Sequence, residues 1–182
     1  MFMQTRDNKI IIMFIVYISL VRVVFFGYFH FYYFYNYIGV QKSLLEADIR
    51  SGQHINPDWT VDGTASKMMA AFISYPDDMS DYTFSVYIKR ERPYLGYFFR
   101  AGGGFLEQRG IAEYTLDGYN ERAFISMNKW QVERLEINNG NSIKVIDIDS
   151  NKPFAIVLPV NAGVITFYDV DGNTVKFVKH LL

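Results

Sequence analysis

The chain has 182 residues, half of them hydrophobic and 18% aromatic, with a formal net charge of −1 and no cysteine. That length holds one anchor and one domain, or two very small domains. The charge gives no electrostatic case for nucleic acid, and the lack of cysteine excludes disulfides, thiolate catalysis and cysteine-based zinc sites.

The apolar excess is concentrated in Ile10–Val40, a run with one basic residue, Arg22, and no acid. A span needs about 20 apolar residues; as a straight helix this run would extend about 46 Å. It is read as a transmembrane and interfacial helix over residues 10–40, behind a short cytoplasmic tail, 1–9. Its core is placed at Ile10 to Phe29, with Val23–Val40 as the competing register. Between Phe25 and Tyr37 every residue except Gly27, His30 and Asn36 is aromatic, a composition that suits the membrane–water interface. Arg6 and Lys9 precede the run, whereas Lys42 follows it beside Glu46 and Asp48. This asymmetry favours a cytoplasmic N-terminus and an extracytoplasmic C-terminal domain. A cleaved signal peptide fits less well, because Arg22 interrupts the apolar segment and no small-residue cleavage site follows closely.

Arg22 is the unusual residue of the run, since a charge near mid-span costs a few kcal/mol on insertion scales, roughly 3 for arginine. Two readings stand: a contact with an acid of another membrane protein, made on a face shared with Phe26 and Tyr33, or snorkelling of a long side chain toward the interface. His30 reads as an interfacial polar residue.

Residues 41–63 are read as a linker. Gln41–Arg50 either extends the anchor helix or forms a short amphipathic turn, and Ser51–Gly63 carries Gly, Pro, Asn and Asp as an entry loop does. Thr64–Ser74 is either a short helix or a buried strand. From Tyr82 the periodicity becomes that of strands. Phe84, Val86 and Ile88 alternate within Thr83–Lys89, and Tyr94–Ala101 forms the next strand, closed by Gly102–Gly104. Ile111–Leu116 and Ala123–Met127 follow. Val132–Ile137 and Ser142–Ile148 flank Asn139-Gly140, a strong hairpin signal. After Phe154–Val160, a second hairpin joins Val164–Tyr168 to Thr174–Val178 through Asp171-Gly172. The expected fold is a single N-terminal transmembrane α-helix plus a mainly β (α+β) domain over 64–182, an antiparallel sandwich or partly open barrel with one helix against it.

Motifs for chemistry are weak. Asp147, Asp149 and Asn151 are spaced like the start of a calcium loop, but Lys152 and Leu158 stand where such a loop has Gly and Glu. Asp169-Val170-Asp171-Gly172 reads as a turn. Gly102–Gly104 lacks the Gly-Lys-Ser/Thr ending of a phosphate loop. Beyond the anchor there are only two histidines, His54 and His180, and no Gly-x-Ser-x-Gly elbow. Trp59 and Trp130 read as core or rim residues. Lys89-Arg90-Glu91-Arg92 reads as a solvated basic turn, or as a contact to anionic headgroups if it faces a membrane. No catalytic, cofactor-binding or metal residue is singled out, and no cofactor is expected. The leading expectation is a membrane-anchored extracytoplasmic binding protein. It would contact lipid and another protein, as an accessory subunit of an envelope assembly or a membrane-bound immunity protein against an envelope-acting toxin would. The alternative is an anchored, hydrolase-like enzyme with a site that carries no sequence motif.

Overall fold

The structure is a computed structural model. It describes residues 4–37, 39–89, 96–104 and 110–182, with side chains of the first helix described from Met13 to Phe29. Two compact units result, Met1–Ile38 and Gly39–Leu182.

The first unit is one helix, α1 (Gln4–Tyr37). Its described side chains are exposed throughout and, apart from Ser19 and Arg22, lack strongly polar groups. Among the described residues no helix is long and apolar enough to cross a membrane.

The second unit is mainly β. After a 3₁₀ turn at Lys42–Leu44 comes α2 (Leu45–Gly52). The strands are β1 (Thr60–Ala65), β2 (Met69–Tyr75), β3 (Thr83–Lys89), β4 (Tyr97–Gly103), β5 (Ile111–Thr115), β6 (Glu121–Ser126), β7 (Val132–Asn138), β8 (Ile143–Asp147), β9 (Phe154–Pro159), β10 (Val164–Asp169), β11 (Thr174–Val175) and β12 (Phe177–Leu181). They form three four-stranded sheets, ordered β1-β2-β3-β4, β12-β5-β6-β9 and β11-β10-β7-β8.

The sheets stack as layers, with β12-β5-β6-β9 in the middle. Along β6, Ala123 and Ile125 pack with Met69, Ala71, Ile73 and Val86 of the first sheet. Phe124, between them, packs with Leu135, Ile165 and Phe167 of the third. Side chains alternate across a strand, so a sheet covered on both sides is apolar on both faces. That is why β6 is buried from Ala123 to Ser126 without alternation. The first sheet has a cover of its own: Leu45 and Ile49 of α2 and Ile55 lie on Ala70, Tyr87 and Tyr97. Phe84 and Val86 thus face the middle sheet while Tyr87 is buried under α2, and the expected in–out alternation of β3 gives way to burial of both faces. Gln53 strengthens this cover. Its amide nitrogen lies 2.6 Å from Ser85 Oγ, and Thr83 Oγ1 donates to its oxygen at 2.5 Å.

Several expectations are corrected. The domain is not wholly antiparallel, because β12 runs parallel to β5, pairing Phe177 with Ile111 and Leu181 with Thr115. The run Thr174–Val178 is accordingly two strands, β11 pairing with β10 and β12 leaving for the middle sheet. Among the described residues no sheet closes as a barrel. The Thr64–Ser74 ambiguity resolves as strand, with a hairpin turn at Ser66–Met68 joining β1 to β2. β1 starts within the residues read as an entry loop, and the segment Gln41–Arg50, expected to extend the anchor helix or form a short amphipathic turn, instead holds most of α2, which begins at Leu45 and runs on to Gly52. The segments Arg90–Pro93 and Tyr94–Leu95, expected as a break and a strand start, lie outside the described residues.

Candidate functional site

A cavity of about 570 Å³ opens where the chain enters the β domain, lined by Gln41, Lys42, Ser66, Lys67, Lys89, Gly96 and Tyr97. Four pieces of chain build it. Gln41 and Lys42 come from the entry segment, Ser66 and Lys67 from the β1–β2 turn, Lys89 from the end of β3, and Gly96 and Tyr97 from the start of β4.

The entry segment is held by two backbone bonds, Val40 N to Tyr97 O at 2.7 Å and Tyr97 N to Val40 O at 2.8 Å. Gly96 makes this approach feasible. Its φ of +67° suits glycine, and a Cβ there would collide with Gly39 O. The turn is pinned from the other side: Lys89 N donates to Met68 O at 2.7 Å. Tyr97 Oη donates to Ser66 O, and Ser66 Oγ donates to the carboxylate of Glu121. Met68 N reaches the same Glu121 oxygen at 2.9 Å. The Ser66 hydroxyl hydrogen thus serves Glu121, and the serine acts as a strut. Burial, followed by the nearby charge of Glu121, raises the pKa of Tyr97.

Three lysines belong to the lining, Lys42, Lys67 and Lys89. Lys42 Nζ donates one hydrogen bond, to Ala65 O at 2.8 Å, leaving two of its three N–H donors. Lys89 Nζ lies 5.7 Å from the centre of the Tyr97 ring. Among the described residues, none of the three lysines has a carboxylate within ion-pair distance. An open, cationic cavity with spare N–H donors is suited to a small anion.

The residues singled out from sequence lie elsewhere. Arg22 and Phe26 are exposed on α1. Tyr33 belongs to α1, but its side chain lies outside the described residues, as does that of His30. Phe25 and Phe29 stack with ring centres 6.3 Å apart. The calcium-like spacing is a turn: Asp149 accepts from Asn151 N at 3.0 Å and pairs with Lys152 at 3.2 Å. Asp169 likewise caps its own turn, accepting from Asp171 N and Asn173 N. Among the described residues no group of three His, Asp or Glu could hold a metal. His180 stacks on Tyr114 at 5.2 Å, Trp59 packs against the α2 cluster, and Trp130 is exposed. Of the cavity residues, the sequence singles out Lys89 within a basic turn and Lys42 for orientation alone. Lys67, at a hairpin tip, carried no signal.

No family model, curated protein or solved structure matches this chain.

Proposed function

We propose that the chain is a helix-anchored binding protein, with α1 in a membrane and the β domain carrying the binding surface on the extracytoplasmic side. The observation that carries this is the exposure of every described side chain from Met13 to Phe29, an apolar helix with no polar face. A helix that is apolar all round needs lipid or protein on all sides. The described stretch is shorter than the roughly 20 residues of a span, but the sequence is apolar on both sides of it, from Ile10 to Val40. Its composition adds support. Ile, Val, Phe and Tyr are mediocre helix formers in water, whereas a lipid environment demands that backbone groups be satisfied within the segment. The cavity favours binding over acid–base chemistry, since among the described residues its lining carries lysines, Ser66 and Tyr97, with no Asp, Glu or His. An accessory subunit of an envelope assembly or an immunity protein would have this layout, an argument from architecture.

Two measurements test the reading. The full chain should stay in the membrane fraction through alkaline carbonate washing, and a reporter fused after Leu182 should read as extracytoplasmic. Release by carbonate removes the anchor, and a cytoplasmic reporter reverses the orientation. Arg22→Leu should weaken recovery of a crosslinked partner; unchanged recovery assigns Arg22 to snorkelling.

A further inference from the structure

We propose that Lys42, Lys67 and Lys89 form a receptor for a phosphoryl group, supplied by the headgroup of an anionic lipid. The inference rests on α1 being a membrane anchor, and it adds a ligand class and a site to that reading.

Three observations carry it. The first is convergence: lysines 42, 67 and 89 are remote in sequence, and a turn, a strand end and the entry segment bring them to one cavity of about 570 Å³. The second is availability. Among the described residues the three lysines have no carboxylate within ion-pair distance, and Glu121, which is bonded to the β1–β2 turn, already accepts from Ser66 Oγ and Met68 N. Phosphate oxygens accept several hydrogen bonds at once and carry charge, which is the chemistry that spare lysine donors recognise.

The third is position along the chain. Val40 closes the apolar run and Lys42 lines the cavity. The helix ends at Tyr37, and the five residues from there to Lys42 reach at most about 18 Å when extended, so a helix inserted up to Tyr37 tethers Lys42 close to the membrane surface. There each lysine near an anionic surface strengthens binding about fivefold. A soluble phosphate ester offers the same oxygens without that proximity, and the experiment separates the two sources.

The full chain is reconstituted in nanodiscs of mixed phosphatidylcholine and phosphatidylglycerol, and the lipids that it retains are weighed by native mass spectrometry. Wild type should retain phosphatidylglycerol preferentially. The triple variant Lys42→Gln, Lys67→Gln and Lys89→Gln should lose that preference. Lys129→Gln, Lys144→Gln and Lys176→Gln, the same charge change at three exposed lysines elsewhere, should keep it. An undiminished preference in the first variant overturns the proposal, and so does an equal loss in both, which would be a general charge effect. Lys67→Gln alone, at an exposed hairpin tip, serves as the fold-safe variant and should lower the preference about fivefold. In discs of pure phosphatidylcholine, inorganic phosphate and glycerol 3-phosphate are added while amide exchange is followed at Ser66–Met69. Protection equal to that given by phosphatidylglycerol discs overturns the lipid as the source. A chain that does not stay in the discs removes the anchor itself, whereas a retained chain with no lysine-dependent preference removes the receptor alone.

Discussion

Arg122 Nη1 lies 2.9 Å from Glu113 Oε1 across neighbouring strands of the middle sheet, and the pair is sealed from solvent, with Glu113 1% and Arg122 13% exposed. Both belong to strand faces that look toward the third sheet, where Phe124 packs beneath the guanidinium at 5.5 Å. Among the described residues the second carboxylate oxygen has no hydrogen-bond partner, and Lys179 Nζ lies 3.9 Å from it. A lone charge left in such a site is costly, while an apolar pair of similar volume is tolerated. Glu113→Ala should therefore destabilise the domain by about 3–5 kcal/mol, and Glu113→Leu with Arg122→Met should recover most of the loss. Urea unfolding of the two variants decides it; a double variant as unstable as the single one would locate the loss outside the pair.

Asn128 should matter as much as any apolar core residue. It is buried, has a φ of +54°, and joins three segments. Val132 N donates to its oxygen at 2.7 Å, and its Nδ2 donates to Val132 O at 3.1 Å and Asp149 O at 3.0 Å. Asparagine tolerates positive φ better than most residues. Asn128→Ala removes these bonds and that tolerance together, and should lower stability by about 2–4 kcal/mol. Thermal unfolding of the variant checks this, with Lys129→Ala, next to it and exposed, as the control that should shift little.

Gly172 holds the turn between β10 and β11 at a φ of +79°. Its N–H bonds Asp169 O at 3.0 Å. A β-branched residue is strained there, so Gly172→Val should cost about 1 kcal/mol or more. The β10–β11 ladder contains just two residue pairs, Phe167–Val175 and Tyr168–Thr174. Amide exchange at Thr174 and Val175 should therefore accelerate in the variant before global stability changes; unchanged exchange would refute the role given to Gly172.

Alkaline pH should weaken the fold through its buried tyrosines, Tyr114 and Tyr87 foremost. Burial, with Tyr82 nearby, pushes the Tyr114 pKa up to about 12. Burial, and then the hydrogen bond to Asp48, raises that of Tyr87. Raised values mean that above a pH of about 10, the ordinary tyrosine value, the folded chain holds more protons than the unfolded one. The stabilisation is complete below that pH and is lost as pH rises through the folded values. Urea midpoints should fall from about pH 10 upward, and Tyr114→Phe should make the decline shallower. An unaltered slope would place the Tyr114 hydroxyl in contact with water.

The strands from β5 to β10 were legible because their signals are local. Asn139-Gly140 and Asp171-Gly172 mark turns by their own backbone preferences, and the apolar runs on either side are short. The layers were not legible, because they depend on which sheet covers which. Ala123, Phe124 and Ile125 read as one apolar run, and nothing in it tells that alternate residues face different sheets. Met68-Met69-Ala70-Ala71 has helix-forming composition that burial between α2 and the middle sheet overrides. Asp62 and Gly63 resemble loop residues although they lie on an edge strand. Of the cavity, only Lys89 stood in a stretch that suggested a surface role. Lys42 and Lys67 acquire theirs from tertiary proximity, which no spacing encodes.

The parallel seat of β12 sets an order of assembly. β5 takes its edge neighbour from 66 residues further along, as Phe177 pairs with Ile111. While a chain emerges from N- to C-terminus, the middle layer keeps an open edge until Phe177–Leu181 arrive, long after both hairpins can form. Closing so distant a contact is slow, and an unpaired strand edge invites other strands. The growing domain is thus most vulnerable to wrong pairing during the synthesis of β6 through β11.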